Sequence, residues 1–470
     1  MSFSSSSFVV FFAVFYIVYF LTRWHTKARN FVILYASYVF YSWISFNILF
    51  LLLLSTVLNY YAALHIAASP SQSRRKTALV TATCANLAMI IYFKYSNFGI
   101  QIFNDFSALF GGRQFSMITV ILPIGISFYT FQAISYLIDV YHRRIDPAPD
   151  LATFALYKAF FPQLVAGPIE RAGHLMGQFL RPTIIGRQDV VLGITWILGG
   201  FFRKVVVADT MAPIADFAFS HPTPDLASGT TVVVGILAFG LQIYGDFSGY
   251  SYIARGCARL MGFDLMSNFD RPYFAASPRE FWRRWHVSLS TWLRDYLYIP
   301  LGGSRCGPVK TARNVILTMG LAGLWHGANW HFVAWGLFHA GLMTIERLTL
   351  PAARFLPQAV RLGGGWLFTI VAVSVGWFIF RVDGLDAAAQ IVSHVFAYPV
   401  WESQTGDLLS LYLTLMAVTL AHDTFVEIHG DDERAVLSLS WPGLAFLWAS
   451  FGVAVLVVGF RPVPFIYFQF

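Results

Sequence analysis

Charged residues are scarce in this sequence. Only 12% of its 470 residues are Asp, Glu, Lys or Arg, whereas soluble domains usually carry about 25%. Hydrophobic residues make up 57% of the chain, and its mean hydropathy is +0.60. This deficit, together with long apolar runs, excludes an ordinary soluble domain and predicts a protein embedded in the lipid bilayer.

Cysteines and the common catalytic signatures are also scarce. The three cysteines, Cys84, Cys257 and Cys306, are odd in number and far apart, which supports neither a disulfide framework nor a metal cage. The sequence has no G-x-S-x-G elbow, no P-loop lysine motif and no G-x-G-x-x-G fingerprint. The sequence therefore lacks the usual signatures of a serine hydrolase, an ATP-driven pump or a Rossmann dehydrogenase.

Basic residues give the chain a formal net charge of +8, in short clusters between apolar runs. Arg74-Arg75-Lys76 and His142-Arg143-Arg144 are examples, and no continuous basic face suggests a nucleic-acid partner. The positive-inside rule places these two loops, and the one that holds Arg23, in the cytoplasm. It also predicts an outside N terminus on a retained first span, and a cytoplasmic C terminus beyond Arg461.

Apolar runs of about spanning length recur along the whole chain. They lie near 7–22, 30–44, 46–68, 77–93, 117–140, 189–207, 229–249, 314–345, 362–380, 407–424 and 441–460. We therefore predict an all-α, polytopic integral membrane protein with about eleven transmembrane helices, forming a single domain over residues 1–470. The run at 314–345 is long enough to be broken or steeply tilted in its middle.

Two stretches differ from ordinary spans. Residues 151–169 are apolar but interrupted by Pro162, Gly167 and Pro168, and residues 264–310 alternate aromatic with charged side chains. Irregular or charged backbone at membrane depth persists only where protein or a water-filled cavity shelters it. Both stretches are predicted to be re-entrant or interfacial helices that line a cavity.

The run at 314–345 contains the motif Trp-His-Gly-Ala-Asn-Trp at 325–330. An ionisable side chain such as His326 is costly at membrane depth and marks a functional site by default. Gly323 and Gly327 flank it and predict close approach of a neighbouring helix. An imidazole can accept a hydroxyl proton near neutral pH, as acyl transfer requires. From the residues alone, a structural histidine that donates to a carbonyl between helices remains an equal alternative.

A metal site built on the same helix is a third possibility, because His331 and His339 follow closely. On a helix, His326 and His331 lie about 140° apart, and His339 again falls on another side. Metal-binding helices use three- or four-residue spacing with a carboxylate nearby. We therefore predict no metal here and expect His331 and His339 to be interface or core residues.

Residues 280–296 form a second concentration of polar and aromatic residues, rich in tryptophan and arginine. The pair Arg283-Arg284 suits a membrane interface, or alternatively could hold the phosphates of a nucleotide-containing acyl donor. His286 is an ionisable donor and acceptor within a segment predicted to line a cavity. Asp246, at the end of an apolar span, is expected to pair with a buried arginine.

These motifs resemble the membrane-bound O-acyltransferase family. The resemblance is carried by Trp325–Trp330, by Phe-Trp-Arg-Arg-Trp-His at 281–286 and by the run from Leu289 to Ile299. Further matches are Leu122–Tyr129, Ala166-Gly167-Pro168 and Asp246–Ser251. The nearest branch is that of the alginate O-acetyltransferase membrane subunit, although Tyr252-Ile253-Ala254 stands where that branch has Asp-Met-Ala.

The resemblance implies a ring of tilted helices around a central funnel in the bacterial cytoplasmic (inner) membrane. It implies that His326 is the catalytic residue, reached by the acyl donor from the cytoplasm, and that His286 is a second catalytic histidine nearer the opposite mouth. No bound cofactor is expected. The donor would be acetyl-CoA or another acyl thioester.

The acceptor that the resemblance implies is an extracellular polysaccharide, reached through an accessory periplasmic or membrane-anchored acyltransferase. Peptidoglycan O-acetylation and D-alanylation of teichoic acids are alternatives within the same architecture. A passive transporter of a small metabolite, with the histidines lining a pore, is the alternative outside enzymes.

Overall fold

The computed structural model describes residues 1–43, 46–165, 167–220, 228–353, 355, 357–460 and 463–466, the side chains of 350–353 excepted. Throughout these residues the regular structure is helical, with a single isolated bridge between Phe269 and Trp285. The all-α prediction is confirmed. The chain packs into two compact units, one of residues 1–186 with 257–266 and one of residues 187–256 with 267–470.

In the described part of the first unit there are nine α-helices. They are α1 (Ser6–Thr22), α2 (Thr26–Ser42), α3 (Phe46–Ala68), α4 (Gln72–Ile90), α5 (Ser96–Ala108), α6 (Ile126–Tyr141), α7 (Leu151–Ala159), α8 (Phe161–Leu164) and α9 (Ala172–Phe179). A π-helical turn at Ile91–Tyr95 joins α4 to α5 without a break.

The remaining α-helices belong to the second unit, apart from the last turn of α12. They are α10 (Arg187–Phe201), α11 (Asp209–Ser220), α12 (Gly229–Leu260), α13 (Pro278–Arg284), α14 (Val287–Leu293), α15 (Pro308–His326), α16 (Trp330–Ala353), α17 (Gln358–Arg381), α18 (Leu385–Ala397), α19 (Ser403–His429), α20 (Asp432–Leu437) and α21 (Trp441–Val458). Further π-helical turns lie at Phe202–Ala208 and Arg294–Tyr298, with a 3-10 turn at Pro272–Phe274.

Seven continuous helical stretches among the described residues are long and apolar enough to cross a membrane. They are Phe46–Ala68, Gln72–Ala108, Arg187–Ser220, Gly229–Leu260, Gln358–Arg381, Ser403–His429 and Trp441–Val458. Shorter apolar helices, such as Ser6–Thr22, accompany them. The protein is therefore a multi-pass membrane protein, while the total of about eleven spans stays a prediction.

The fifth apolar run is shorter as a helix than the sequence predicts. Its helix begins at Ile126 rather than near 117, because Pro123 precedes it and Gly125 adopts a left-handed conformation with φ of 77°. The residues before it run along α5 instead. The side-chain amides of Asn97 and Asn104 bond both backbone groups of Ile118 and Phe115, at 2.8–2.9 Å.

Both irregular segments are interrupted, as predicted. In the first, α7 ends at Ala159 and α8 carries Pro162 in its first turn, with the side chains of both helices almost all buried. Ala166 lies outside the described residues. The second, 264–310, consists of short helices and turns. The long run at 314–345 is broken in the middle, since α15 ends at His326 and α16 begins at Trp330.

Two of the basic loops meet at one end of the first unit. Arg75 donates to the carbonyl of Tyr141 and its guanidinium lies 5.4 Å from the centre of that ring. Gln72 donates to the Tyr141 hydroxyl at 2.9 Å. The loops after α3 and α6 therefore lie on the same side of the unit, as the positive-inside assignment requires. Arg461, used in that assignment, lies outside the described residues.

A histidine between two carboxylates joins α9 to the segment that returns to the first unit. His174 contacts Glu170 at 2.8 Å and Asp264 at 3.4 Å. Glu170 is fully buried and also accepts from the backbone N–H of Met266 at 2.6 Å. Hydrogen bonds to Asp264 and Glu170 raise the pKa of His174 to about 10.

The contacts of His174 with Glu170 and Asp264 predict that the stability of the fold depends on pH. Because the folded pKa lies above the value of about 6.5 for a free imidazole, His174 stabilises the fold fully below that pH and loses its contribution as pH rises toward 10. His174→Gln should therefore lower the thermal unfolding midpoint in detergent at pH 6 and have little effect at pH 10. His142→Gln, in an exposed loop, is the control. An equal loss at both pH values for His174→Gln would contradict the ion-pair assignment.

Candidate active site

The hairpin of α15 and α16 places His326 at its tip. The two helices approach so closely that a Cβ on Gly323 would lie 2.0 Å from the backbone oxygen of Phe332. A Cβ on Gly336 would lie 2.1 Å from the oxygen of Met319, and one on Gly327 would collide with the Phe332 ring. Close approach at Gly323 and Gly327, predicted from their spacing, is confirmed.

His326 ends α15 inside a box of aromatic rings. Its imidazole is 4.9 Å from Trp325, 5.1 Å from Trp335 and 5.4 Å from Phe380 between ring centroids, each at a steep angle. The side chain is buried. As the last residue of α15, it lies at the negative end of the helix dipole, which favours a positive charge there. The surrounding rings therefore hold the imidazole in one orientation at the carboxyl end of α15.

His286 precedes α14 and is fully buried. Its backbone adopts a left-handed conformation with φ of 43°, which is uncommon for a residue other than glycine. Asn268 holds the surrounding turn, since its carbonyl accepts from the N–H of Val287 at 2.9 Å and its side chain contacts Ser288 at 2.6 Å. The Phe247 ring meets the imidazole edge-on at 4.6 Å. Such an imposed backbone conformation is typical of functional sites.

The structure brings the two histidines together through Trp325. The Trp325 ring lies 6.0 Å from His286 and 4.9 Å from His326 between centroids. Three separate motifs therefore converge, because Phe247 comes from α12, His286 from the turn before α14 and His326 from the end of α15. One indole separates the two imidazoles.

A cavity of about 770 Å³, which we call the His326 cavity, extends along α15. It is lined by residues along that helix from Pro308 through Thr318 and Ala322 to His326, and by Trp282 and Leu293. At 1.5 Å per residue, the stretch from Pro308 to His326 is about 27 Å long. Since residues 279–308 supply much of the wall, the prediction that 264–310 lines a cavity is confirmed. Whether 151–169 lines one stays a prediction.

Four arginines line the His326 cavity, and two of them, Arg279 and Arg347, lie far from the histidine along α15. Arg279, Arg283, Arg294 and Arg347 all contribute to its wall. Gly336 packs at the level of Met319, so Arg347, eleven residues further along the antiparallel helix, lies near the level of Pro308. Arg279 is held there by Glu346 at 2.8 Å. The cavity thus combines guanidinium groups at one end, apolar walls, and an imidazole at the other end.

Asp246 has a structural role, with a lysine partner instead of the expected arginine. Its carboxylate lies 2.8 Å from the amine of Lys204, which also contacts Asp209 at 2.7 Å. The other carboxylate oxygen of Asp246 accepts from the N–H of Ile466 at 2.6 Å. The π-helical turn at Phe202–Ala208 carries Lys204 into this buried position, an irregularity that the sequence pattern does not reveal.

The other histidines of the hairpin are packing residues, as expected. His339 is buried, accepts from the indole N–H of Trp282 at 3.3 Å and lies against Trp335. His331 is half-buried, and its ring lies tilted against Phe332 with 4.1 Å between the ring centroids. In the described part of the chain, no group of three or more His, Cys, Asp or Glu residues could hold a metal. That no metal or cofactor is bound stays a prediction.

Several residues around the site were not singled out from the sequence. Trp335 and Phe380 form two walls of the box around His326, and Arg347 lines the far end of the cavity. The crowding of Trp330 and Trp335 after the histidine motif was an available signal. Nothing in the local pattern marks Phe380, which reaches the box from α17.

Fold and site define a helical, multi-pass membrane protein with the buried His326 at the end of an elongated cavity and a second buried histidine, His286, against Trp325. The profile of the membrane-bound O-acyltransferase family matches residues 31–382. The chain therefore belongs to that family, and it is an O-acyltransferase that uses an acyl donor.

Three relatives illustrate the range of the family. A "probable alginate O-acetylase AlgI" of Azotobacter vinelandii is 43% identical over 89% of this chain and 82% of its own length. The peptidoglycan O-acetyltransferase of Helicobacter pylori is 34% identical over 76% of this chain and 72% of its own length. A teichoic acid D-alanyltransferase of Streptococcus thermophilus is 29% identical over 46% of this chain and 54% of its own length.

The close contact at Gly323 predicts that alanine substitutions at two positions of the same hairpin differ strongly in their effect on stability. Gly323→Ala should destabilise the protein by roughly 1–3 kcal/mol, because the new methyl group meets backbone that cannot rotate away. Gly341→Ala, where nothing lies within 4 Å, should be neutral or slightly stabilising. The measurement is the thermal unfolding midpoint of each variant in the same detergent. Equal midpoints for the two variants would contradict the close packing of α15 on α16.

Proposed function

We propose that this protein transfers an acetyl group from acetyl-CoA in the cytoplasm to hydroxyl groups of an extracellular polysaccharide, with His326 and His286 as its catalytic residues. The observation that carries the proposal is the His326 cavity. It joins a cluster of arginines to a buried imidazole over about 27 Å.

The two ends of the cavity suit the two ends of an acyl-CoA. Guanidinium groups bind phosphates by bidentate, charge-assisted hydrogen bonds, and two lie together at the Pro308 end. Apolar walls formed by Leu293, Met319 and Ala322 suit the slender arm that carries the thioester. This arrangement would deliver the acyl carbon to His326.

His326 acts as a general base or as a transient acyl carrier. As a base, it takes the proton of the acceptor hydroxyl while the oxygen attacks the thioester carbonyl, and the C–S bond then breaks as the imidazolium returns the proton to the departing thiolate. As a carrier, its ring nitrogen attacks the carbonyl first, releases the thiol and then passes the acyl group to the hydroxyl. The helix dipole at the end of α15 stabilises the cationic ring in either route.

His286 assists on the extracytoplasmic side. Its position one indole away from His326 suits a second station along the path of the acyl group. The bacterial cytoplasmic (inner) membrane is the setting, since the donor is cytoplasmic and the acceptor lies outside. An accessory periplasmic or membrane-anchored acyltransferase completes the transfer to the polysaccharide.

Alginate is the acceptor that the relatives favour. Five relatives bear the name of an alginate O-acetylase and are 38–43% identical to this chain. The peptidoglycan O-acetyltransferase and the teichoic acid D-alanyltransferase match at 34% and 29% over less of the chain. A test that offers alginate or peptidoglycan with labelled acetyl-CoA, and teichoic acid with a labelled, activated D-alanyl donor, separates these possibilities.

Removing the imidazole should abolish most of the activity without unfolding the protein. His326→Ala is expected to reduce transfer of labelled acetyl from acetyl-CoA by roughly 10²–10⁴-fold, the range for loss of a general base. His331→Gln, on the neighbouring helix and outside the cavity wall, should stay near the parent rate. A His326→Ala protein that inserts normally and leaves the glycan fully acylated would disprove the assignment.

The arginine cluster predicts that loss of an arginine weakens binding of the acyl donor and leaves the rate of acyl transfer little changed. Arg347→Ala, or Arg283→Ala, should raise KM for acetyl-CoA by roughly 10–100-fold, since a hydrogen bond to a charged group contributes about 1.5–3 kcal/mol, with kcat little changed. Arg305→Ala, exposed and outside the cavity wall, is the matched control. An unchanged KM in both cavity variants would place the donor phosphates elsewhere.

A further inference from the structure

A second cavity, of about 480 Å³, opens on the outer surface of the first unit between α3 and α4. We call it the α3–α4 groove. One end holds the basic side chains of His65 and Arg74, and the walls beyond are formed by small and apolar residues such as Ala62 and Ala78. None of its lining residues belongs to the site already described.

The groove faces lipid. In the most apolar windows of α3 and of the continuous α4–α5 helix, only 33% and 17% of the residues are buried by protein. Leu58 of the groove is itself partly exposed, as are Val57 and Tyr61 beside it. A water-soluble ligand would have no route into such a wall, whereas the acyl chain of a lipid is already there.

The mouth of the groove is positively charged, and the helices that form the groove have no acidic residue to offset that charge. From Phe46 to Asn104 the sequence contains no Asp or Glu, while Arg74, Arg75 and Lys76 follow one another just inside α4. Arg75 is engaged by Tyr141. The ion pairs found among the described residues include neither Arg74 nor Lys76.

Acidic groups on the neighbouring elements are mostly committed elsewhere. The helix α6 packs on both α3 and α4, and its Asp139 pairs with Arg144 at 2.9 Å. The next loop adds Arg143 to the same end of the unit. The loop also carries Asp146, while Asp150 caps α7 through Thr153, so the excess of positive charge at this end lies on α4.

The length of the groove corresponds to one leaflet. From Arg74 to Ala85, the last lining residue on α4, the helix rises about 16 Å. Half of the hydrocarbon core of a bilayer is about 15 Å. A phosphate bound at Arg74 thus places its acyl chain along Ala78, Thr81 and Ala85 down to the middle of the membrane.

We propose that the α3–α4 groove binds one anionic glycerophospholipid, with its headgroup phosphate on Arg74, beside His65 at the same end, and an acyl chain between the two helices. A zwitterionic lipid also carries phosphate, but its own ammonium group offsets the attraction. Basic clusters beside membrane helices recognise anionic lipids by this physical mechanism. The site is independent of the acyl-transfer chemistry.

Lipid retention by purified protein tests this site. The delipidated full-length chain is titrated with phosphatidylglycerol or with phosphatidylcholine of the same acyl chains, and bound lipid is counted by native mass spectrometry. The expected preference for phosphatidylglycerol is roughly fivefold, or about 1 kcal/mol for one basic side chain. Equal affinity for the two lipids would overturn the proposal.

Variants separate the headgroup from the acyl chain. Arg74→Ala should lose the preference, and Ala78→Phe, which fills the groove, should lose binding of both lipids. Val80→Phe, on an exposed part of α4 outside the groove wall, should behave as the parent protein. Selective binding that survives both Ala78→Phe and Arg74→Ala would show that the lipid binds elsewhere. Monitoring the thermal unfolding midpoint of each variant excludes misfolding as the cause.

Discussion

The contact between α15 and α16 is the constraint on which the site depends. Backbone meets backbone at Gly323 and Gly336, so the hairpin reverses within the three residues between His326 and Trp330. That reversal sets His326 against Trp335 and brings Arg347 back to the level of Pro308. If α15 and α16 were further apart, the aromatic rings would no longer enclose His326. The arginines and the imidazole would then no longer line the same cavity.

Aromatic rings surround both histidines. Trp325, Trp335 and Phe380 surround His326, and Phe247 contacts His286. Rings exclude water while they hold an imidazole in one orientation, and low water content strengthens the electrostatic interactions of a reacting carbonyl. The acyl path would therefore be dry near the histidines and charged only at the arginine end of the cavity.

The sequence predicted the parts of the fold that follow from local pattern. Apolar run lengths located most of the long helices, and the spacing of Gly323 and Gly327 predicted the close helix contact. Long-range partners could not be predicted this way. Lys204 reaches Asp246 through a π-helical turn, and Asn97 and Asn104 hold residues 115–118 in an extended path that hydropathy assigns to a span. The catalytic roles of the two histidines were predicted from the resemblance to a family. Only the structure shows that both imidazoles lie against the Trp325 ring.

The central claim is that the His326 cavity holds the acyl donor with its thioester at the imidazole. A cryo-electron microscopy structure of the protein in nanodiscs with a non-hydrolysable acetyl-CoA analogue tests this most directly. The account predicts density along α15, with phosphates beside Arg283 and Arg347 and the acyl carbon within about 3.5 Å of a His326 ring nitrogen. A donor bound elsewhere, or one whose acyl group points away from His326, would contradict it.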